Sequence, residues 1–393
     1  MSIGRYDRKR LDWCDASCCE VWRVMTTAPP PGLFSPKTQV FVVPRSSPAV
    51  SVVMTSWNDI RFIREAVDGI LAQTMQDFEF IIVDNGSDHA SQVAALAALD
   101  PRIRTFRLDR NLGPAEAGNR GIAVARAPLI ARMDNDDRAE PTWLAETTEA
   151  LDADPQLGLV GTWATLMSEH GDPLGIDRTP ESDFAIRFTL LSHNPFYHSS
   201  TVFRKALVDQ IGGSETGQDL THDHRLWRAM LPHCRARNLP RPLCRYRYNP
   251  KGLTATSDPL TKRSRSRDIR VALWRELGLD FPIDDRNLGD AVDDFLRDRP
   301  IRDPALWDQV GAVIELAVAA TAAKEHSFLR PGDEPQRDRF IDGLRERLAA
   351  GPHRQPGLAQ RLKAALRTRG PRRTFAAALR KGRAWLSSSG KPR

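Results

Sequence analysis

No run of about 18 consecutive apolar residues occurs anywhere in the 393-residue chain, which argues against a membrane-spanning helix. The basic N-terminus, MSIGRYDRKRLDW, has no apolar core behind it and does not read as a secretory signal. Cysteine is sparse and odd in number: Cys14, Cys18, Cys19, Cys234 and Cys244. No second ligand pair follows the first three at zinc-site spacing, so reduced thiols in the cytoplasm are expected, not a disulfide framework. Neither a G-x-G-x-x-G nor a G-x-x-x-x-G-K-[ST] segment is present, which disfavours a Rossmann oxidoreductase and a P-loop NTPase. Acidic residues are missing from Arg354 to Arg393, where 12 Lys or Arg stand. Since the whole chain carries +7, residues 1–353 carry a net −5. The basic character belongs to the tail, and a nucleic-acid-binding core is not implied.

What is present begins at Ala49, after a Pro-rich, aperiodic extension over residues 1–48. Val50-Ser-Val-Val-Met-Thr55 reads as a buried strand, and Ile60, Ile63, Val67, Ile70 and Leu71 recur at helical spacing behind a candidate cap, Asp59. Phe78–Val83, Ile103–Phe106 and Pro128–Met133 read as further strands, separated by helices over about 89–99 and from Pro114 to about Arg126. A helix from Glu140, a strand at Leu157–Gly161, a hairpin around His170-Gly171-Asp172, a helix near Ser182–Leu191 and a last strand at Leu243–Tyr248 follow. From about Lys262 the chain reads as helical. Alternating strands and helices predict a parallel sheet covered on both faces, with ligands beyond the strands' carboxyl ends. The polar clusters at 55–59, 84–88 and 134–137 all fall at such ends.

The third cluster has the sharpest chemistry. Leu129-Ile-Ala-Arg-Met133 stops at Asp134, Asp136 and Asp137, with only Asn135 between them. In an extended chain Asp134 and Asp136 would face one point, and crowded carboxylates repel unless a cation sits between them; an acidic surface turn after the strand is the competing reading. Oxygen ligands suit Mg²⁺ or Mn²⁺.

Several motifs in order resemble the inverting family 2 glycosyltransferases with the GT-A fold. They are Val50-Ser-Val-Val-Met-Thr-Ser-Trp-Asn58, Ile63-Arg-Glu-Ala-Val-Asp-Gly-Ile-Leu-Ala-Gln-Thr74, Phe80-Ile-Ile-Val-Asp-Asn-Gly-Ser-Asp88 and Arg110-Asn-Leu-Gly113 with Asn119-Arg-Gly-Ile122. Ala131-Arg-Met-Asp-Asn-Asp-Asp137 is similar to the family's metal-binding D-x-D stretch. Asn194-Pro-Phe-Tyr-His-Ser-Ser200 and His222-Asp223 before Leu226-Trp227 resemble its acceptor loop and catalytic-base motif. The chain departs from the pattern at Thr55-Ser56, where a Pro is usual, at His222 in place of Glu, and at Asn249 in place of a His near the diphosphate.

The resemblance implies an α/β, GT-A-type, mostly parallel sheet flanked by helices, with a helical C-terminal extension. The expected divisions are 1–48, a transferase domain over 49–257, a helical region over 258–350 and a basic tail over 351–393. It further implies a nucleotide-diphosphate sugar donor and a glycan or lipid-linked acceptor, with Asp223 as general base. Thr55, Trp57, Asn58, Asp84, Arg110, Asn111, Asn119 and Asp134 are expected around the donor, although Asp84 could instead close an Asx-turn on Gly86. Asp136, with Asp134, would hold Mn²⁺ or Mg²⁺, and Asp134 could touch the ribose instead. His198 and His222 fall on the acceptor side. Asp223 also suits a helix N-cap. The tail sets Leu358, Leu362, Phe375 and Trp385 among basic residues, as in a helix lying peripherally on the inner membrane face, or in a loose basic tail. A non-catalytic sugar-binding module is the competing reading. A sugar nucleotidyltransferase is a weaker one, because no Gly-rich phosphate loop stands near the first strand.

Overall fold

The computed structural model describes residues 47–217, 220–277, 279, 286–297, 301, 303–323 and 333–351. Nearly all of the N-terminal extension, with its three cysteines, and all but the first residue of the basic tail lie outside these.

Strands β1 (Val50–Ser56) and β2 (Phe78–Asp84) are buried almost throughout, as expected for central strands covered on both faces. They pair in parallel with each other, and β3 (Ile103–Arg107) and β4 (Leu129–Asp134) extend the parallel set on either side. The remaining strands are β5 (Arg138–Ala139), β6 (Leu157–Met167), β7 (Pro173–Asp177), β8 (Val202–Arg204) and β9 (Arg235–Arg247). The sheet runs β3-β2-β1-β4-β8-β6-β9-β5, with β7 hairpinned on β6. Only half of it is as parallel as expected. β8 enters antiparallel between β4 and β6, and β5 pairs antiparallel with β9, so the sheet is mixed.

Side-chain alternation sorts the core into two layers. Val50, Val52 and Met54 of β1, with Phe78, Phe80 and Ile82 of β2, pack with α1 (Ile63–Leu71), α2 (Ala90–Ala95) and α4 (Trp143–Ala153). Val53, Ile81 and Val83 face the other layer, which holds α3 (Gly113–Ala123), α5 (Asp183–Leu190), α6 (Lys205–Ile211) and α7 (His222–Met230). Gly121 of α3 lets that helix close on β1, since a Cβ there would come within 2.5 Å of Val53 Cγ1.

After the short α8 (Leu253–Thr256) come α9 (Pro259–Glu276), α10 (Arg286–Leu296), α11 (Trp307–Ala323) and α12 (Glu334–Ala349). Their apolar residues Trp274, Phe295, Ile314 and Leu344 join the same core layer as Phe184 and Phe188 of α5. Phe340 stands edge-on to both phenylalanines, at 6.0 and 5.5 Å. No helix among the described residues is long and apolar enough to cross a membrane.

The register decides the site. Ser56 at the end of β1 lies opposite Asp84, and Thr55 lies opposite Asp134. Two carboxylates therefore flank the tip of the central strand.

Candidate active site

Asp84 ends β2 buried and accepts from Ser87 N at 2.9 Å, one residue beyond the turn on Gly86 given as its alternative role. Its other oxygen takes Arg107 Nη1 at 2.7 Å, a partner on β3 that strand spacing alone did not single out. Gly86 follows at φ +69°, and the chain from Arg110 to Asn111 passes so close that a Cβ would lie 2.4 Å from Arg110 C. Across the strand tip, Asn58 has φ +56° and accepts from Asp88 N at 2.9 Å, tying the loop after β1 to the loop after β2. Trp57 beside it is 51% exposed and lies outside the core.

The donor-side residues expected from the third helix separate. Arg110 is exposed, and Asn111 accepts from Asn85 Nδ2 and Gly113 N, both at 2.9 Å. Asn119 spends its amide elsewhere: Oδ1 accepts from Ser214 N at 2.8 Å and Nδ2 donates to Ser214 O at 2.9 Å. It pins the Gly213-Ser214 bend to α3.

The acidic cluster is a turn rather than an extended segment. β4 ends at Asp134, and Asp137 N reaches back to Asp134 O at 3.4 Å. Strand alternation therefore does not bring Asp134 and Asp136 together; the turn does. Asp134 Oδ1 meets His198 Nδ1 at 2.9 Å, and Asp134 N donates to Ser199 Oγ at 3.1 Å. Burial pushes the Asp134 carboxyl up, but the hydrogen bond from His198 and the positive charge around it, Arg132 included, outweigh it and hold the group below the usual range. Asp136 is pushed up to about 6, first by burial and then by the charge of Asp134. Asp137 is fully buried and is also raised, by burial and by both neighbouring carboxylates. It accepts from Arg247 N at 2.8 Å, while Arg247 Nε holds Asp136 O at 2.7 Å.

Asn249, noted as a departure, bridges two carboxylates. Its Nδ2 donates to Asp136 Oδ2 at 2.8 Å and to Asp59 Oδ2 at 3.0 Å, while its Oδ1 accepts from Arg61 Nη2 at 2.9 Å. Asp59 is not the cap of α1, whose N-cap position is Phe62. Bidentate hydrogen bonding to Arg61 holds Asp59 down at about 2. Sequence spacing could not reveal this clasp, because Asn249 lies 190 residues from Asp59.

Beneath the turn lies Arg132, only 2% exposed, with burial lowering its guanidinium to about 10. Its Nε donates to His198 Nε2 at 3.1 Å. The rings of His198 and His222 meet edge to face at 5.3 Å, and the charge of His222 reaches Asp134. Both histidines expected on the acceptor side thus link the acidic turn to α7. Thr221, not Asp223, occupies the N-cap position of α7. Asp223 sits in its first turn, accepting from His224 N at 2.8 Å and from Asn194 Nδ2 at 2.6 Å. Asn194 was quoted only as part of a motif, and no local signal marked it as the partner of Asp223.

A divalent cation suits this donor set. Asp134 and Asp136 are hard oxygen ligands, and their mutual repulsion, felt in the raised Asp136, is what a dication would relieve. No cluster of three or more Asp, Glu, His or Cys among the described residues could hold a metal by itself. Two carboxylates would hold the ion weakly, and oxygens of a bound diphosphate would complete its shell, as is usual for Mg²⁺.

The family model described as "Glycosyl transferase family 2" matches residues 51–212. The O-antigen biosynthesis glycosyltransferase WbnJ of Escherichia coli is 31% identical over 209 residues, 51% of this chain and 80% of that protein. The chain belongs to glycosyl transferase family 2. An uncharacterized glycosyltransferase of Haemophilus influenzae is 26% identical over 217 residues. This family 2 chain covers 66% of that relative's length, and 51% of the chain takes part. A crystal structure of S. aureus TarS 1-349 in complex with UDP-GlcNAc is 16% identical, with coverage of 77% and 90% and a TM-score of 0.48. The mixed sheet flanked by helices is the GT-A-type architecture that the family motifs implied.

Proposed function

We propose that the chain transfers a glycosyl group from a nucleoside-diphosphate sugar to an acceptor hydroxyl with inversion, in the synthesis of a cell-surface polysaccharide or glycolipid. One observation carries this reading: the Asp134 to Asp137 turn and Asp223 converge through the contact of His198 with His222. This contact supports setting the donor at the acidic turn and the base in the first turn of α7.

Trp57 offers an open ring face to the donor base, and Asn58 and Asp84 line the strand tips beside it. Thr55 shares the tip of β1, and Arg110 and Asn111 border the loop that crosses Gly86. Asp134 and Asp136 would hold the diphosphate end through Mn²⁺ or Mg²⁺, which when bound offsets charge developing on the leaving phosphate. Asp223 accepts the acceptor hydroxyl's proton as that oxygen attacks the anomeric carbon and the bond to the diphosphate breaks. Asn194 and the His224 N–H orient its carboxylate. The polysaccharide assignment draws support from the relative named for O-antigen biosynthesis.

Screening the purified protein with Mn²⁺ against a panel of nucleotide sugars, for donor hydrolysis and thermal stabilisation, tests the reading. No response to any donor would sink it, and binding without turnover would favour the sugar-binding module. We also assign the basic tail, residues 351–393, to peripheral contact with an anionic membrane surface on its cytoplasmic side. Equal liposome pelleting of the full chain and a chain ending at Ala350 would end that idea.

A further inference from the structure

Arg132 is a buried cation whose placement is hard to explain as ordinary packing. Its side chain shares a face of β4 with Asp134, two residues on. A guanidinium and a carboxylate side by side normally form a bidentate pair that occupies both carboxylate oxygens. Here they do not. His198 is wedged between them, taking Arg132 Nε on one nitrogen at 3.1 Å and meeting Asp134 Oδ1 with the other at 2.9 Å. Arg132 Nη1 has no hydrogen-bond partner among the described residues, and Gly118 of α3 leaves room for the group, since a Cβ there would sit 3.0 Å from Nη1 and Nη2.

The polarity of this chain of hydrogen bonds is fixed by chemistry. A guanidinium can only donate, so His198 Nε2 must be the unprotonated nitrogen. The ring proton is therefore on Nδ1 and is donated to Asp134 Oδ1. The edge of His222 against the His198 ring and the Ser199 hydroxyl on Asp134 N keep both members of the contact in place. Asp134 then has Oδ1 capped and Oδ2 without a partner among the described residues.

We propose that Arg132 and His198 are a positioning pair that locks His198 in its Nδ1–H tautomer and turns Asp134 so that a single oxygen, Oδ2, is presented to the donor diphosphate and its cation. The use made of that oxygen rests on the function proposed above; the pair itself does not. Ligands to a metal are commonly oriented in this way by hydrogen bonds from behind, and losing such a partner weakens metal affinity about 10–100-fold.

The test begins with the wild-type full chain, uniformly labelled with ¹⁵N-histidine, and assigns His198 by its loss in His198→Gln. We expect Nδ1 to resonate as a protonated nitrogen and Nε2 as an unprotonated one that accepts a hydrogen bond. In Arg132→Met the Nε2 signal should move to that of a free lone pair. Binding of Mn²⁺ alone, read from the free-ion electron paramagnetic resonance signal, supplies the second readout. His198→Leu should weaken it about 10-fold or more, whereas His198→Gln, which can accept from Arg132 and donate to Asp134, should stay within about threefold. A wild-type Nε2–H tautomer, an Nε2 signal indifferent to Arg132→Met, or His198→Leu binding as tightly as wild type would each overturn the proposal. If wild type shows the expected tautomer yet binds no Mn²⁺, the pair stands and the metal reading of the acidic turn fails. Should Arg132→Met fail to fold, the wild-type tautomer and the two His198 variants still decide.

Discussion

Buried carboxylates sit at both ends of the same parallel strands, and their surroundings are opposite. At the N-terminal end Glu79 of β2 is 2% exposed. It accepts from Ser51 Oγ at 2.7 Å, Arg126 N at 2.7 Å, Arg126 Nε at 2.9 Å and Arg104 Nη1 at 2.7 Å. Burial pushes its carboxyl up, but these donors together bring it below the ordinary value. At the C-terminal end Asp136 and Asp137 have fewer donors and each other's charge, and both are raised. One end is complete as built. The other keeps a demand for positive charge that the folded chain does not meet, which is where a ligand can contribute most.

Breaking the C-terminal end at Asp223 should have the largest effect. Asp223→Asn is expected to lower kcat about 10²–10⁴-fold with donor binding retained, measured by transfer assay and calorimetry. Transfer at the wild-type rate would remove Asp223 from the chemistry. Breaking the opposite end should cost stability instead. Glu79→Ala leaves the Ser51 hydroxyl and the Arg126 N–H without their acceptor and is expected to lose about 3 kcal/mol in chemical denaturation. Activity per folded molecule should be unchanged; a drop would mean that the two ends are not separable.

Asp136→Asn sharpens the contrast, because removing a charge there should stabilise the metal-free chain. The Asp136 carboxyl rises from 3.8 to about 6 on folding. The cost of ionising it is thus absent below about pH 4, grows between about pH 4 and 6, and is complete above. Relative to the variant, wild type should lose about 2 kcal/mol over that window, and Mn²⁺ should recover most of it. Parallel pH profiles of the two proteins would refute the unmet demand. The smallest effect is expected from Gly86→Ala, which forces a side chain into φ +69° against Arg110. A loss of about 1–2 kcal/mol, with weaker donor binding, should appear in thermal shift.

The parallel half of the fold was legible because its strands are short apolar runs separated by amphipathic helices. The mixed half was not. β8 has only three residues, and β9 begins at Arg235, eight residues before the apolar run that announces it, passing Pro240 and Pro242 through register shifts against β6. A Pro in a strand argues against it unless a bulge absorbs it, and the bulge is a tertiary feature. In the site, Asp84, Asp134, Asp136 and Asp223 were visible as acidic residues at strand or helix ends. Their partners Arg107, Arg132, Asn194, Asp59 and Arg61 were invisible as partners, because each is defined by distance in space. Asn119 illustrates the converse: its motif position was clear, but its amide is occupied by Ser214.

The braces of the acidic turn come from much later in the chain, with Arg247 reaching Asp137 across 110 residues and Asn249 reaching Asp136 across 113. On a ribosome adding about 5–20 residues per second, those braces emerge roughly 5–20 s after the turn itself. The parallel strands, complete by Asp134, have time to form around three carboxylates that nothing yet holds apart. Bracing of the acidic turn is therefore a late event in the life of the nascent chain, timed by the arrival of the last strand.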